Sequence, residues 1–530
     1  MADFRKCDGN CEACGKCRGE RLLRELRSRK SELTYMPEGF RTAAGDSTAD
    51  NEPAYGNGSP APGSSFANRS ETGASESGDR PGSGYGIAFD IGTTTVVGLC
   101  WDLAKREFLA TDAARNPQVV HGGDVISRIG YSVREEENLE EMRQLVIDCL
   151  NEILDGFLEK LPVRRTEITE ITAVGNTTMS HLLLGEDPEG LAASPFRPAF
   201  KGAVRESAAA LGLRVPAETA FYLLPGIAGH VGSDITAGLL ALDLENKDGL
   251  DVFVDIGTNG EVAVTEKGRI LVCSTAAGPA FEGAAIRQGM RATEGAIEGV
   301  SLCESGDAFG RTGADSGRTG AKPASGGNGA DIELKVIGDV SPAGICGSGL
   351  IDAVSVMLSA GLMDRTGRIL TEDEALSAGT SPLLTRRLVL RDEEACFVLQ
   401  EPDPEGNSAE ILLRQSDIRE VQLAKSAIVS GILALLKKSG HTAAEADHLY
   451  LAGAFGNYIR KEAAVNIGLL PDISPDRIIA VGNAAGVGAS LALFGDKEKA
   501  RAERIAASAE HVELAGSSLF YDLYIENMNF

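Results

Sequence analysis

The chain has 530 residues, 43% of them hydrophobic, and a formal net charge of −26. That is enough sequence for two or three domains with substantial cores, and so acidic a balance disfavours nucleic acid as the main ligand, because phosphate backbones need a basic surface. No apolar run approaches the roughly 18–20 residues needed to span a bilayer, and the charged, cysteine-bearing opening does not read as a secretory leader, so the expected setting is the cytoplasm, away from membranes.

Residues 1–35 read as a small N-terminal unit. Cys7, Cys11, Cys14 and Cys17 bring four thiols together, ahead of a basic helix around Glu20–Arg27. In a reducing compartment such a cluster binds metal rather than forming disulfides. Zinc and an iron–sulfur cluster both accept four cysteines. The tight spacing favours a four-iron (4Fe-4S) centre, with structural zinc as the alternative. Arg18, Arg21, Arg24, Arg27, Arg29 and Lys30 follow. They form either a solvated face or a dock for an acidic partner, this protein's own body included.

Residues 36–84 contain no Ile, Leu or Val, so they cannot bury enough apolar surface to order themselves and predict a disordered linker. Two halves follow, at 85–248 and 249–530. Strands are expected at 86–91 and 95–100 and a helix over 139–161. The glycine-rich stretch 304–330, with GRTGA twice, sits between strand-like runs at 297–303 and 332–337 and reads as a disordered hairpin insertion. The six scattered cysteines (Cys100, Cys149, Cys273, Cys303, Cys346, Cys396) are expected in the core.

Three patterns recur in the same order. FDIGTTT (89–95), TAVGNTTMSH (172–181) and GSDITAGLLAL (232–242) are echoed by VDIGTNGE (254–261), YLAGAFGNY (450–458) and GNAAGVGASLAL (482–493). Each set runs strand–turn–strand with an aspartate at the turn, then a strand ending in a Gly/Asn turn, then a helix of small residues. Two halves built alike predict a sheet flanked by helices in each, with the small-residue helices letting the halves approach closely at a hinge.

Asp90 and Asp255 each stand at a strand end before Gly-Thr. Glycine permits a tight turn whose backbone N–H groups point at an anion, and the hydroxyls add donors. A carboxylate beside phosphate makes sense only with a cation between them, so Mg²⁺ held largely through water is implied. Either loop alone also reads as an ordinary hairpin turn. Neither a P-loop nor a Rossmann fingerprint is present.

The paired DIGT loops, the LAGAFGN turn and the small-residue helices resemble the acetate/sugar kinase, heat-shock chaperone and actin (ASKHA) superfamily. Within it, NPQVVHGGDVISRIGYS (116–132), AVGNTTMSHLLLG (173–185), SPFRPAF (194–200), LPGIAGHVGSDITAG (224–238), AAGPAFEGAAIRQGM (276–290) and GICGSGLIDAV (344–354) resemble the reductive activators of corrinoid proteins. The resemblance implies an α/β fold of duplicated actin-like (ribonuclease H-like) halves around a nucleotide cleft. It implies ATP hydrolysis coupled to low-potential electron transfer, reducing Co(II) to Co(I) on the corrinoid protein of a methyltransferase system. Asp90 and Asp255 would position Mg²⁺. Gly92, Thr93, Thr94, Thr95, Gly257, Thr258, Asn259 and Gly260 would hold the phosphates. Gly453, Ala454, Phe455, Gly456 and Asn457 would border the adenosine, with Gly347, Ser348 and Gly349 as further candidates. Asp234, or else Glu261, would orient the attacking water, although Asp234 also reads as a helix N-cap. His181 and His230 read as structural.

Implied partners are the corrinoid protein, a low-potential electron donor and a second copy of the chain. Many members of the family carry a larger ferredoxin-like domain with a two-iron centre, and the short cysteine unit departs from that pattern. Competing readings are an activator of a 2-hydroxyacyl-CoA dehydratase or aryl-CoA reductase, a small-molecule kinase, and a zinc-bearing nucleotide-dependent scaffold.

Overall fold

The structure is a computed structural model, and it describes residues 84–304, 329–402, 409–453 and 458–530. The expected cysteine unit, the linker and nearly all of the glycine-rich insertion lie outside the described residues. The chain divides into two compact units. The first comprises the described residues up to Lys247 with 268–270 and 483–511; the second comprises 248–267, 271–482 and 512–530.

The first unit opens with β1 (Tyr85–Ile91), β2 (Thr95–Asp102) and β3 (Glu107–Arg115). Helices α1 (Val125–Ser132) and α2 (Glu136–Lys160) follow. Next come β4 (Ile168–Gly175), α3 (Thr177–Leu184), β5 (Val204–Ser207), β6 (Ala220–Leu223) and α4 (Ser233–Leu242). The strands form one sheet in the order β3-β2-β1-β4-β6-β5. β1 is antiparallel to β2 and parallel to β4, and every residue after Tyr85 is buried, so both its faces are covered, hence its near-continuous apolar run. Helix α2 begins three residues earlier than expected, where Glu136 and Glu137 suit the positive end of its dipole. It stops at Lys160, since Pro162 disfavours helical backbone in the residue before it. Met142, Val146, Leu150, Ile153 and Phe157 are its buried face, packed into the apolar core of this unit.

The second unit repeats the arrangement with β7 (Asp251–Ile256), β8 (Gly260–Glu266) and β9 (Arg269–Thr275, from Leu271 on). Strands β10 (Ala296–Glu304) and β11 (Ala330–Val336) pair antiparallel, as the expected hairpin requires, and β12 (Gly344–Ile345) joins them. Helix α5 (Gly347–Ser359) follows, then a small sheet of β13 (Leu388–Arg391), β14 (Glu394–Gln400) and β15 (Ile411–Arg414), then α6 (Gln415–Ser439). Strands β16 (His448–Ala452) and β17 (Ile478–Gly482) complete the main sheet, ordered β17-β16-β7-β8-β9. That order is the first unit's β6-β4-β1-β2-β3 in other numbers. The threefold sequence repeat therefore marks a repeated topology, in which each Asp-bearing strand lies between its hairpin partner and a parallel neighbour.

After Gly482 the chain returns to the first unit as α7 (Ala484–Ala492) and α8 (Asp496–Ser508). The small-residue helices α4 and α7, expected to let the two halves approach at a hinge, instead pack on each other within the first unit. A methyl added at Gly488 would lie 2.0 Å from the Ala237 carbonyl oxygen. Trp101 Nε1 donates to Ser490 Oγ at 2.9 Å, and Thr172 Oγ1 to the Ala489 carbonyl at 2.8 Å. Arg501 of α8 pairs with Asp243, Glu245 and Glu498, and Lys499 with Glu170.

Of the scattered cysteines, Cys100, Cys149, Cys273, Cys346 and Cys396 are buried and Cys303 partly exposed. Burial pushes the thiols of Cys100 and Cys149 up to about 12, which suits packing rather than reactivity. Among the described residues no helix is long and apolar enough to cross a membrane.

Candidate functional site

In the first unit β1 ends at Ile91 and β2 begins at Thr95, so Gly92, Thr93 and Thr94 form the turn. Gly92 N–H closes it on the Thr95 carbonyl at 3.0 Å, and a methyl at Gly92 would stand 2.6 Å from that oxygen. Three side chains grip the loop from within the unit. Asn116 donates to the Gly92 carbonyl through Nδ2 (2.9 Å) and to the Thr94 carbonyl through its backbone N–H (3.0 Å). Arg128 Nη2 donates to the Thr93 carbonyl at 2.5 Å, and Asn176 Nδ2 to Thr93 Oγ1 at 2.9 Å. In a planar trans peptide C=O and N–H point opposite ways. With the carbonyls of 92, 93 and 94 turned toward these donors, the N–H groups of Thr93, Thr94 and Thr95 face the other side. Backbone donors aligned in that way are suited to an anion.

Asp90 is buried beneath the turn, 6% exposed. Its carboxyl is pushed up to about 7, first by burial and then by repulsion from Asp234, against a lowering hydrogen bond with Asn483. Asn483 also caps α7 by accepting from Gly486 N–H at 2.6 Å. Asp234 is only partly exposed, and burial raises it to about 6. It is not the N-cap: Gly232 holds that position, and Asp234 stands in the first turn of α4, its Oδ1 accepting from Ile235 N–H at 2.8 Å. Two neighbouring carboxylates that both resist ionisation fit a hard cation, which would relieve their repulsion and prefers oxygen ligands. Magnesium held here by one or two carboxylates would keep several of its waters, as this ion tends to.

In the second unit Gly257, Thr258 and Asn259 turn between β7 and β8, Gly257 N–H donating to the Asn259 carbonyl at 2.9 Å. Gly260 opens β8. Asp255 pairs with Glu261 across the antiparallel ladder and with Ala452 on parallel β16. Cross-strand partners share a face of the sheet, so Glu261, itself buried and accepting from Ser274 Oγ at 3.3 Å, stands on the face of Asp255. Thr258 Oγ1 donates to Glu282 at 2.6 Å. Gly453 has φ +91°, and a methyl there would lie 2.6 Å from Asp255 Oδ1. The first residue of the expected adenosine turn thus abuts the carboxylate of the second loop. Ala454, Phe455, Gly456 and Asn457 lie outside the described residues. Gly347, Ser348 and Gly349 form the buried first turn of α5, where Ser348 Oγ donates to the Glu298 carbonyl at 2.8 Å and a methyl at Gly349 would lie 2.1 Å from Ile297 O.

His181 is buried with Nδ1 on the Thr177 carbonyl (2.7 Å) and Nε2 accepting from Ala199 N–H (2.9 Å). Burial lowers its pKa, so it stands as a neutral structural imidazole. His230 packs edge-on against Phe196. The supporting residues Asn116, Arg128, Asn176, Glu282 and Asn483 were not among the sequence candidates. Their only sequence signal is that each lies inside a stretch already singled out at 116–132, 173–185, 276–290 or 482–493.

The chain matches two family descriptions: "RACo middle region" over residues 85–247, and "C-terminal domain of RACo the ASKHA domain" over 249–530. It is 36% identical over 448 residues to the corrinoid activation enzyme RamQ of Eubacterium limosum, covering 84% of this chain and 70% of the relative. It is 23% identical over 482 residues to a [Co(II) methylated amine-specific corrinoid protein] reductase of Methanosarcina barkeri, covering 84% and 77%. The solved structure of a reductive activator for corrinoid, iron-sulfur protein matches with a TM-score of 0.71 at 33% identity, over 84% of this chain and 66% of that one, so the chain spans just under two thirds of that relative. Between them the two matched segments take in both duplicated hairpins and nearly all of 85–530, and the chain belongs to the RACo family, with an ASKHA fold in its C-terminal domain.

Proposed function

We propose that this protein reductively activates a corrinoid protein, using ATP to drive an electron onto cobalt and take it from Co(II) to Co(I). The observation that carries the reading is the repeated Asp-Ile-Gly-Thr hairpin, at Asp90 and again at Asp255, in a chain whose relatives are named for corrinoid activation and corrinoid protein reduction. In this reading the amides of Thr93–Thr95 and the residues Gly257–Gly260 bind phosphate. Asp90 and Asp255 position a hydrated magnesium ion, and Asp234, or else Glu261, orients the attacking water. Gly453 and the turn after it border the adenosine, with the first turn of α5, Gly347–Gly349, as a further candidate there. The ASKHA fold supports nucleotide binding.

Cys7, Cys11, Cys14 and Cys17 would hold an iron–sulfur cluster, which when bound supplies a one-electron relay between an external low-potential donor and the cobalt of the partner. The step is uphill from ordinary donors. A conformational bias of about 10⁴ is worth roughly 5.5 kcal/mol, on the order of 240 mV for one electron, which is within what ATP hydrolysis provides. A homodimer is the proposed assembly.

The test is anaerobic reduction of candidate corrinoid proteins with and without ATP, followed by visible spectroscopy. Co(I) should accumulate only with ATP and a reductant, the purified protein should be brown, and ATP hydrolysis should rise when the Co(II) partner is added. Equal Co(I) yields with and without ATP overturn the coupling, and a colourless protein after anaerobic iron and sulfide reconstitution overturns the electron-relay part.

A further inference from the structure

We infer that Arg128 is the positioning residue of the first phosphate loop, an inference that rests on the ATP-binding reading above. Arg128 sits on α1 with its side chain fully buried, and it reaches from that helix to the loop. Its guanidinium is held along its whole edge: Nε donates to the Gly122 carbonyl (3.0 Å), Nη1 to Gln118 Oε1 (3.2 Å) and Met179 Sδ (3.4 Å), and Nη2 to the Thr93 carbonyl (2.5 Å). The planar fork is thereby fixed in orientation before it meets the loop, and a flexible ammonium cannot reproduce that.

Its effect is transmitted through one peptide. Tying down the Thr93 carbonyl rotates the Thr93–Thr94 peptide plane and turns the Thr94 N–H to the side opposite Arg128. Asn116 does the same for the peptides on either side through the Gly92 and Thr94 carbonyls. The central plane carries the arginine's bond on its carbonyl. A positive charge behind the loop also favours an anion in front of it. Arg128 touches no phosphate in this scheme; it sets the direction of the amide that does.

The experiment compares full-length wild type with Arg128→Lys and Arg128→Met by calorimetric binding of ATP and of adenosine, with melting curves and the KM and kcat of ATP hydrolysis. Removing one charge-assisted bond of this kind should weaken ATP binding about 10- to 100-fold. Adenosine affinity should hold within twofold, and the loss should appear in KM more than in kcat. Lys should recover part of the affinity and Met none. A mere packing role predicts a lower melting temperature with the ATP-to-adenosine ratio intact, and that result overturns the assignment. If the Met variant does not fold, the Lys variant decides: unchanged ATP affinity rejects the inference. If wild type itself binds no ATP, the nucleotide reading fails first, and the failure is recognisable as such.

Discussion

The two Asp-Ile-Gly-Thr hairpins share strand order and position in their sheets, yet their turns differ by one residue in length and they are supported differently. The loop after Asp90 is held from behind by Asn116, Arg128 and Asn176, which take up its carbonyls and one hydroxyl. The loop after Asp255 has its threonine hydroxyl on Glu282 and a glycine backbone pressed against its aspartate. Duplication has kept the scaffold that aims the turn and let the buttressing diverge. The first loop is stiffened by a buried cation and two amides; the second is defined by a neighbouring turn and a carboxylate. A shared motif therefore predicts where a ligand is approached and says little about what fixes the approach.

The largest expected effect tests whether the second loop needs its carboxylate. Asp255→Ala should lower ATP turnover by about 10³-fold or more, on the scale of losing a metal-positioning group, with iron content unchanged; turnover within tenfold of wild type would refute the metal assignment. Next comes the contact that distinguishes this loop from its twin. Gly453→Ala must change a left-handed backbone and push a methyl against Asp255 Oδ1, so turnover should fall about 100-fold, consistent with displacement of a catalytic group by about 1 Å. An active, stable Ala variant would show that the close approach is incidental.

A third test sharpens the electrostatics of the first loop in magnesium-free protein. Asp90 and Asp234 stand at about 7 and about 6 in the folded state, above the roughly 4 of an exposed aspartate. A carboxyl raised by folding contributes stability that is fully present below the unfolded value and is lost as pH rises through the folded one. With chelator present, melting should therefore fall between pH 4 and 8, steepest around pH 5, where both carboxyls are protonated in the folded chain and ionised in the unfolded one. Asp90→Asn should flatten that slope and raise Tm at pH 8 by about 2–4 °C per kcal/mol recovered. An unchanged slope in the Asn variant breaks the pairing of these carboxyls. The smallest effect is expected from Thr258→Val, which removes the bond to Glu282 and should raise the KM for ATP about 3- to 10-fold; a fall in KM would mean that Glu282 holds the hydroxyl away from substrate.

Most of the scaffold was legible in the sequence because it is written in periodicity and in local turn chemistry. The strands at 85–91 and 95–102, the helix at 136–160 and the repeated order of patterns all have short-range signatures. The buttresses have none. Asn116, Arg128 and Asn176 act on a loop about 25 to 85 residues away through bonds that mostly end on backbone carbonyls, and a carbonyl carries no residue identity to read. Asp234 was ambiguous for a related reason: a cap and a first-turn acid differ by two positions, and only the backbone of Gly232 settles which it is. The small-residue helices announced close packing, but composition could not name the partner, which turned out for each to be the other.

That last pairing bears on how the molecule is made. The sheet of the first unit is complete once residue 223 has been synthesised, but α7, which covers Trp101, Thr172 and the inner face of α4, arrives only with residues 484–492. At translation rates of about 5–20 residues per second the gap from α4 to α7 lasts on the order of 10–50 s. The first unit thus waits for its covering helix until most of the second has been made, and a ribosome stalled in between carries a first-unit sheet still without α7.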